Sequence, residues 1–227
     1  VEIGEKTWVG PHVVIQGPTV IGKENRIFQF ASIGEAPQDK KYSGEATRLE
    51  IGDRNIIRES VTINRGTVGG GGLTTVGDDN LFMAYIHIAH DCHVGSGTIF
   101  SNNASLAGHV TVGDQVILSG FTLIHQFCSV GAHSFTGMGS AIAKDVPPYM
   151  MVSGNPAKPH GINKEGLKRR GFSPEALSAL KESYRILYRS GLPLSEARRE
   201  LGAMAEEHQV VSDLVRFLEQ SQRSIIR

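Results

Sequence analysis

A six-residue period runs through most of this chain, and few folds accommodate one for so long. Stepping by six from Ile3 gives Val9, Ile15, Ile21, Ile27 and Ile33, and the same step gives Ile51, Ile57 and Ile63. After an interruption the period resumes at Val76. It continues through Phe82, Ile88, Val94, Phe100, Leu106, Val112, Leu118, Ile124, Val130, Thr136 and Ile142, where only Thr136 is not strongly apolar. The position four residues later is also selective: Thr7, Thr19, Cys92, Thr98, Ala104, Val110, Val116, Thr122 and Cys128 are small or β-branched. Neither the helical period of 3.6 nor strand alternation keeps this phase. Short strands reset by a turn every six residues do. Three of them close a triangular coil of 18 residues, and parallel backbone pairing stacks such coils about 4.8 Å apart.

Two polar interruptions break the period. Residues 35–50 read EAPQDKKYSGEATRLE, and residues 64–75 read NRGTVGGGGLTT with four consecutive glycines. A solenoid keeps its core in register and ejects insertions as loops, often on its binding face. Beyond Ile142 the hexads fade. The stretch KDVPPYMMVSGNPAKPHG, with four prolines, reads as an end-cap and linker. From about Asn163 the pattern turns helical. Ser173-Pro174-Glu175 is a helix start, Ser190-Gly191 a helix end, and LSEARRELGAMAEEH and SDLVRFLEQSQRS supply two more helices. The expected organisation is a solenoid over 1–155 and a helical domain over 156–227 that seals the solenoid's end.

Composition narrows the partners. With 23 basic and 23 acidic side chains the formal net charge is zero, which argues against a nucleic-acid polyanion. No segment reaches the roughly 18 apolar residues of a membrane span, and no signal-like region opens the chain. Val1 already lies inside a patterned segment, so the missing signal weighs little. Two cysteines make no disulfide framework, and a reducing compartment is the default.

The 18-residue coil converts sequence into position. Asp91, His109 and Phe127 form one column, and His90, Gly108 and Gln126 the next, while His125 stands over Ala107 and Ala89. His90, Asp91, His109, His125 and Gln126 therefore gather at one edge within about 10 Å. Zinc is one reading of YIHIAHDCHVG (85–95), but Cys92 and Cys128 occupy the inward position, two coils apart. They can neither pair nor share a tetrahedral metal, and behave as small core residues. General-base chemistry fits better. A histidine accepts a proton near neutral pH, a neighbouring carboxylate fixes its tautomer, and the unshielded N–H of Gly108 faces a developing oxyanion. A solvated polar edge on a non-catalytic β-helix is the third reading.

IGEAPQDKKYSGE, VTINRGTV, IHIAHDC, LAGHV, HQFC and GLKRRGF, in this order, resemble the cytoplasmic acyl-carrier-protein-dependent UDP-N-acetylglucosamine O-acyltransferases of lipid A synthesis. The resemblance spans all 227 residues, and hexads and family together imply a left-handed parallel β-helix. It implies transfer of a 3-hydroxyacyl group from acyl carrier protein to the sugar 3-hydroxyl by a cytoplasmic homotrimer with active sites between subunits. No metal, cofactor or covalent intermediate is implied. In this family's terms His90 is the general base, Asp91 its support and the Gly108 N–H the oxyanion donor. His87, His109 and Gln126 line the sugar and acyl site, and His125 lies beside the nucleotide-sugar. Asp39 and Lys41 contact the sugar and its phosphates, and Asn163, Glu165 and Arg169 match nucleotide-binding positions. Many relatives carry histidine where this chain has Asn64, which keeps a 3-amino sugar acceptor open. Some have glycine where this chain has Met138, which is expected to shorten the acyl groove to about ten carbons; soft core or interface packing is the alternative. The later N-acyltransferase of the same pathway is the nearest rival, and a coenzyme-A acetyltransferase is further off.

Overall fold

A computed structural model describes residues 1–221 and 223–227. Among the described residues short strands, mostly of two residues, stack into three sheets of seven, nine and seven strands, parallel throughout except for the last pair of the nine-stranded sheet. Through the unbroken part each strand pairs with its counterpart one coil on: His87 with Ser105, Ser105 with Leu123, and Val76 with Val94. At the two interruptions the sequence offset grows while the spatial one does not. Ile21 pairs Ile51 across the first loop, and Ile51 pairs Val76 across the second. Each loop therefore leaves the solenoid as an excursion, after which every strand returns to its own column.

The hexad residues fill the interior. Ile21, Ile27, Ile33, Ile57, Ile63, Phe82, Ile88, Phe100, Leu106 and Leu118 are almost completely buried. Burying such a side chain contributes about 1.5–3 kcal/mol. Thr136, the polar exception, is also buried, and satisfies its hydroxyl against Thr122 Oγ1 (2.7 Å) and the Ser119 N–H (3.1 Å).

The small inward position builds a second, polar column. Thr7 Oγ1 accepts from the Asn25 N–H (3.1 Å), and Asn25 Oδ1 from the Asn55 N–H (2.9 Å) and side-chain amide (3.0 Å). Asn55 Oδ1 then accepts from the Asn80 N–H (3.0 Å), and Asn80 Oδ1 from the Thr98 N–H and hydroxyl (both 2.7 Å). Each side chain answers a backbone donor of the next coil that the strands leave unpaired. Outside, Asp53, Asp78, Ser96 and Asp114 repeat the device at 2.7–3.0 Å. The glycines after the hexad residues make room for it: a Cβ on Gly22 would overlap Asp53 Oδ1, and one on Gly52 would overlap Asp78 Oδ1.

Past Ile142 the structure departs from the expected linker. Met150–Ser153 adds a parallel rung to Phe135–Thr136, then pairs antiparallel with Lys158–Ile162. Four prolines and the loss of hexads obscure this hairpin in the sequence, because its contacts are no longer one coil apart. Helix α1 (Lys164–Arg169), α2 (Pro174–Tyr188), α3 (Leu194–Ala205) and α4 (Gln209–Gln220) follow. Ser173 Oγ caps α2 by accepting from the Ala176 N–H (3.2 Å), as its position implies. Helix α2 packs on the hairpin, with the Tyr184 hydroxyl donating to the Pro159 carbonyl. The C-terminal Ile225 bridges back to Asp145.

Asn55→Ala removes the acceptor for the buried Asn80 N–H and the amide donor to the Gly77 carbonyl. The expected loss is about 1–3 kcal/mol, read as a lower urea midpoint than wild type.

Candidate active site

Every six residues the chain turns a corner through a left-handed residue, with Asp79, Tyr85, Asp91, Asn103, His109, Gln115, Phe121 and Phe127 at φ of 57–65°. The corner residue points outward, and two of these corners carry the site. Asp91 and His109 sit there, one coil apart, with Phe127 stacked on His109 at 4.4 Å between ring centroids. Aspartate and histidine are among the non-glycine residues that take this left-handed corner most readily, whereas Tyr85, Phe121 and Phe127 hold it at greater cost.

His90 precedes its corner. Its Nδ1 lies 2.8 Å from Asp91 Oδ2. The Asp91 side chain is 1% exposed and that of His90 14%. With Nδ1–H donating to the carboxylate, Nε2 is left as an acceptor. Gly108 lies directly over the ring, where a Cβ would come within 2.6 Å of Cε1 and 2.8 Å of Nε2. Among the described residues the Gly108 N–H meets no acceptor. A cleft of about 430 Å³ opens there, lined by His87, His90, Ser105, Gly108, Leu123 and, from the first loop, Gln38.

The second loop turns out to serve Asp91. Its Thr67 donates a backbone N–H to Oδ1 (2.8 Å) and its hydroxyl to Oδ2 (2.6 Å), while Thr74 Oγ1 accepts from the Asp91 N–H (2.8 Å). Gly70 lies so close that a Cβ there would overlap the Asp91 carboxylate. Gly70 of the glycine run therefore seats the loop on a buried carboxylate, while Gly71 and Gly72 take left-handed φ of 96° and 79°. The run was the only sequence signal of that close approach.

The remaining expected residues divide. His87 borders His90 and joins Thr62 Oγ1 through Nδ1 (2.7 Å); burial and the neighbouring His90 lower its pKa. Burial also lowers that of His109, against the pull of Asp91. Asp39 Oδ1 accepts from the Lys41 N–H (3.0 Å) in the first loop. That loop is tied down from beneath: Asn64, 3% exposed, donates its amide to the Ala36 carbonyl (2.9 Å), and Arg65 donates to the Gly34 carbonyl (2.6 Å). His125 and Gln126 are exposed. Asn163, Glu165 and Arg169 line a different cleft, of about 400 Å³, which shares no residue with the His90 cleft. Asn163 is partly committed there: it caps α1 at the Gly166 N–H (3.3 Å) and donates to the His133 carbonyl (2.9 Å). In the basic run, Arg170 binds Gln115 Oε1 (2.8 Å), leaving Arg169 to face the cleft. Met138 is 78% exposed, which rules out packing in this chain's core.

His90, Asp91 and His109 bring one ligand atom each within 4.8 Å of one another. The donor set fits a divalent metal poorly, because Asp91 Oδ2 already accepts from both the Thr67 hydroxyl and His90. Cys92 contributes nothing here: it is buried, and burial pushes its thiol up to about 12.

The acyl-[acyl-carrier-protein]--UDP-N-acetylglucosamine O-acyltransferase of Thiobacillus denitrificans is 62% identical over 203 residues, 89% of this chain and 79% of that protein. This chain belongs to the UDP-N-acetylglucosamine O-acyltransferase family. The family's second-domain model matches residues 145–226. The solved UDP-N-acetylglucosamine acyltransferase of Francisella novicida superimposes with a TM-score of 0.98 at 48% identity, covering 99% of this chain and 83% of that one. LpxA from Acinetobacter baumannii gives 0.97 at 47% identity, over 100% of this chain and 89% of its own. The β-helix with C-terminal helices is thus the family's fold, as the hexads implied.

His87, His109 and His133 all have depressed pKa values, with burial the leading cause. The unfolded chain takes up these protons near pH 6.5 and the folded chain resists doing so. Stability should therefore fall as pH drops below about 6.5. In thermal melts the fall should be shallower in H133F, which keeps an aromatic ring between Tyr149 and Phe172.

Proposed function

We infer that this chain transfers a 3-hydroxyacyl group from acyl carrier protein to the 3-hydroxyl of UDP-N-acetylglucosamine, the first step of lipid A biosynthesis. The observation that carries the reading is His90, whose Nδ1 is bound to a buried carboxylate while Nε2 faces a cleft beneath an unengaged backbone N–H. His90 Nε2 takes the proton of the sugar hydroxyl as its oxygen attacks the thioester carbonyl. Asp91 steadies the imidazolium that forms, and the Gly108 N–H donates to the oxyanion. Collapse of the tetrahedral intermediate expels the carrier thiolate, which recovers the proton from His90. Nothing is transferred to the enzyme.

Asp39 and Lys41 reach the sugar and its phosphates from the first loop, and His87, His109 and Gln126 line the sugar and acyl subsites. His125 lies beside the nucleotide-sugar; Asn163, Glu165 and Arg169 take the nucleotide. The resemblance to the family supports a cytoplasmic homotrimer, and the separation of the His90 cleft from the cleft of Asn163, Glu165 and Arg169 on one chain suits a site completed by a neighbouring subunit. The exposed Phe121, Leu123, Phe127 and Met138 support such contacts. Met138 then closes the acyl groove.

Transfer from C10, C12 and C14 3-hydroxyacyl carrier proteins to UDP-N-acetylglucosamine tests the assignment. His90→Ala should lose at least about 10²-fold. Gly108→Ala should lose on the order of 10²-fold by displacing the His90 ring. A wild-type protein active only on the 3-amino analogue would move the acceptor assignment without moving the chemistry. Met138→Gly should shift preference towards the longer donors; an unchanged preference rules out the groove stop.

A further inference from the structure

Asp91 Oδ2 has two histidines within reach. His90 Nδ1 is at 2.8 Å and His109 Nε2 at 3.7 Å, and the two rings meet edge to face with centroids 5.1 Å apart. A carboxylate free to rotate about its χ2 could serve either ring. In the second case His90 would lose the partner that fixes its tautomer. Something outside the histidines must decide.

Thr67 holds both carboxylate oxygens at once, through its N–H to Oδ1 and its hydroxyl to Oδ2. Two donors from one residue fix the carboxylate plane, as a fork does. The hydroxyl shares Oδ2 with His90, so that oxygen is engaged by both while His109 Nε2, at 3.7 Å, stays beyond hydrogen-bond distance. Thr67 itself is buried and initiates the turn Val68–Gly70, whose closing bonds run from the Gly70 and Gly72 N–H groups to its carbonyl. Gly66 and Gly70 allow this approach: a Cβ on Gly66 would meet Asp91 Oδ1 at 2.8 Å as well as the Leu73 backbone.

We propose that Thr67 is a positioning residue that commits the Asp91 carboxylate to His90 rather than His109. The second loop is then a clamp for the acid of the dyad, and not a part of substrate binding. This rests on His90 and Asp91 acting as base and support. Outer-shell partners that orient metal-bound histidines are worth about 10–100-fold, and the lower end of that range sets the scale for Thr67 acting through Asp91.

The test compares T67V, T67S and H90A in the full chain, with kcat and the KM for UDP-N-acetylglucosamine measured at saturating acyl carrier protein substrate. Valine preserves shape and the backbone donor but removes the hydroxyl; serine restores the hydroxyl. The expected result is a kcat at least about ten-fold lower in T67V, KM within about two-fold of wild type, and recovery of most of the loss in T67S. Wild-type kcat in T67V overturns the proposal. So does a T67S as impaired as T67V, or a KM that rises with the fall in kcat, since either marks a general distortion of the loop. Should T67V not fold, T67A takes its place beside T67S: a kcat at least about ten-fold lower in T67A at unchanged KM supports the hydroxyl's role, and wild-type kcat in T67A overturns it. Retained activity in H90A would refute the base assignment itself, whereas an inactive H90A beside an unaffected T67V would refute only the role of Thr67.

Discussion

Parallel backbone pairing between successive coils is the interaction on which the rest of this molecule depends. Strands of two residues contribute too few hydrogen bonds to stand alone, so each coil is stable only on its neighbours. The backbone donors at corners need partners too, and the polar columns through Asn25, Asn55, Asn80 and Thr98, and through Asp53, Asp78, Ser96 and Asp114, provide them. A missed step in the hexad would displace a core side chain and break a column together. That double requirement explains why the period is kept so strictly across two large interruptions.

The same constraint builds the site. A corner every six residues presents one outward side chain per turn of the coil edge, and pairing aligns corners of successive coils. Asp91 and His109 share such an edge, and His90 lies under Gly108 in the adjoining column. The small size of Gly108 matters because the coils are locked at one spacing: no sliding of the backbone could make room for a side chain above the ring. Chemistry here comes from a repeat unit with a few positions altered.

What the sequence made legible follows from where its regularity holds. The interior residues, the inward cysteines and the stacking of His90 beneath Gly108 could all be placed by counting, because pairing over that stretch advances by one coil at every step. The ejection of two loops was equally plain, although their strands extend to Glu35 and Asn64 and resume at Arg48 and Leu73. Counting failed once pairing ceased to be periodic. Nothing in NRGTVGGGGLTT announces that Thr67 will grasp Asp91, since a loop's path depends on contacts that no period encodes. Asn64, whose difference from many relatives left the sugar acceptor open, is a buried tie for the first loop, a role the sequence does not announce. Asn163 lines a cleft and also caps α1, a duty visible in its place before Lys164-Glu165-Gly166. The Met150–Ser153 hairpin was hidden by prolines that usually mark a linker.

The register at the two loops carries a consequence for how such a protein can change. Ile21 finds Ile51 and Ile51 finds Val76 across a loop in the same way that Val94 finds Val112 without one, so loop length is uncoupled from the frame of the core. Insertions and deletions in the first loop beyond its ties to Asn64 and Arg65 can reshape what is recognised at the edge without shifting the register of the core. The second loop lacks that liberty, since its glycines and Thr67 close on one carboxylate. One ejected segment is therefore open to variation in length and the other is held to a single length, although both leave the solenoid in the same way.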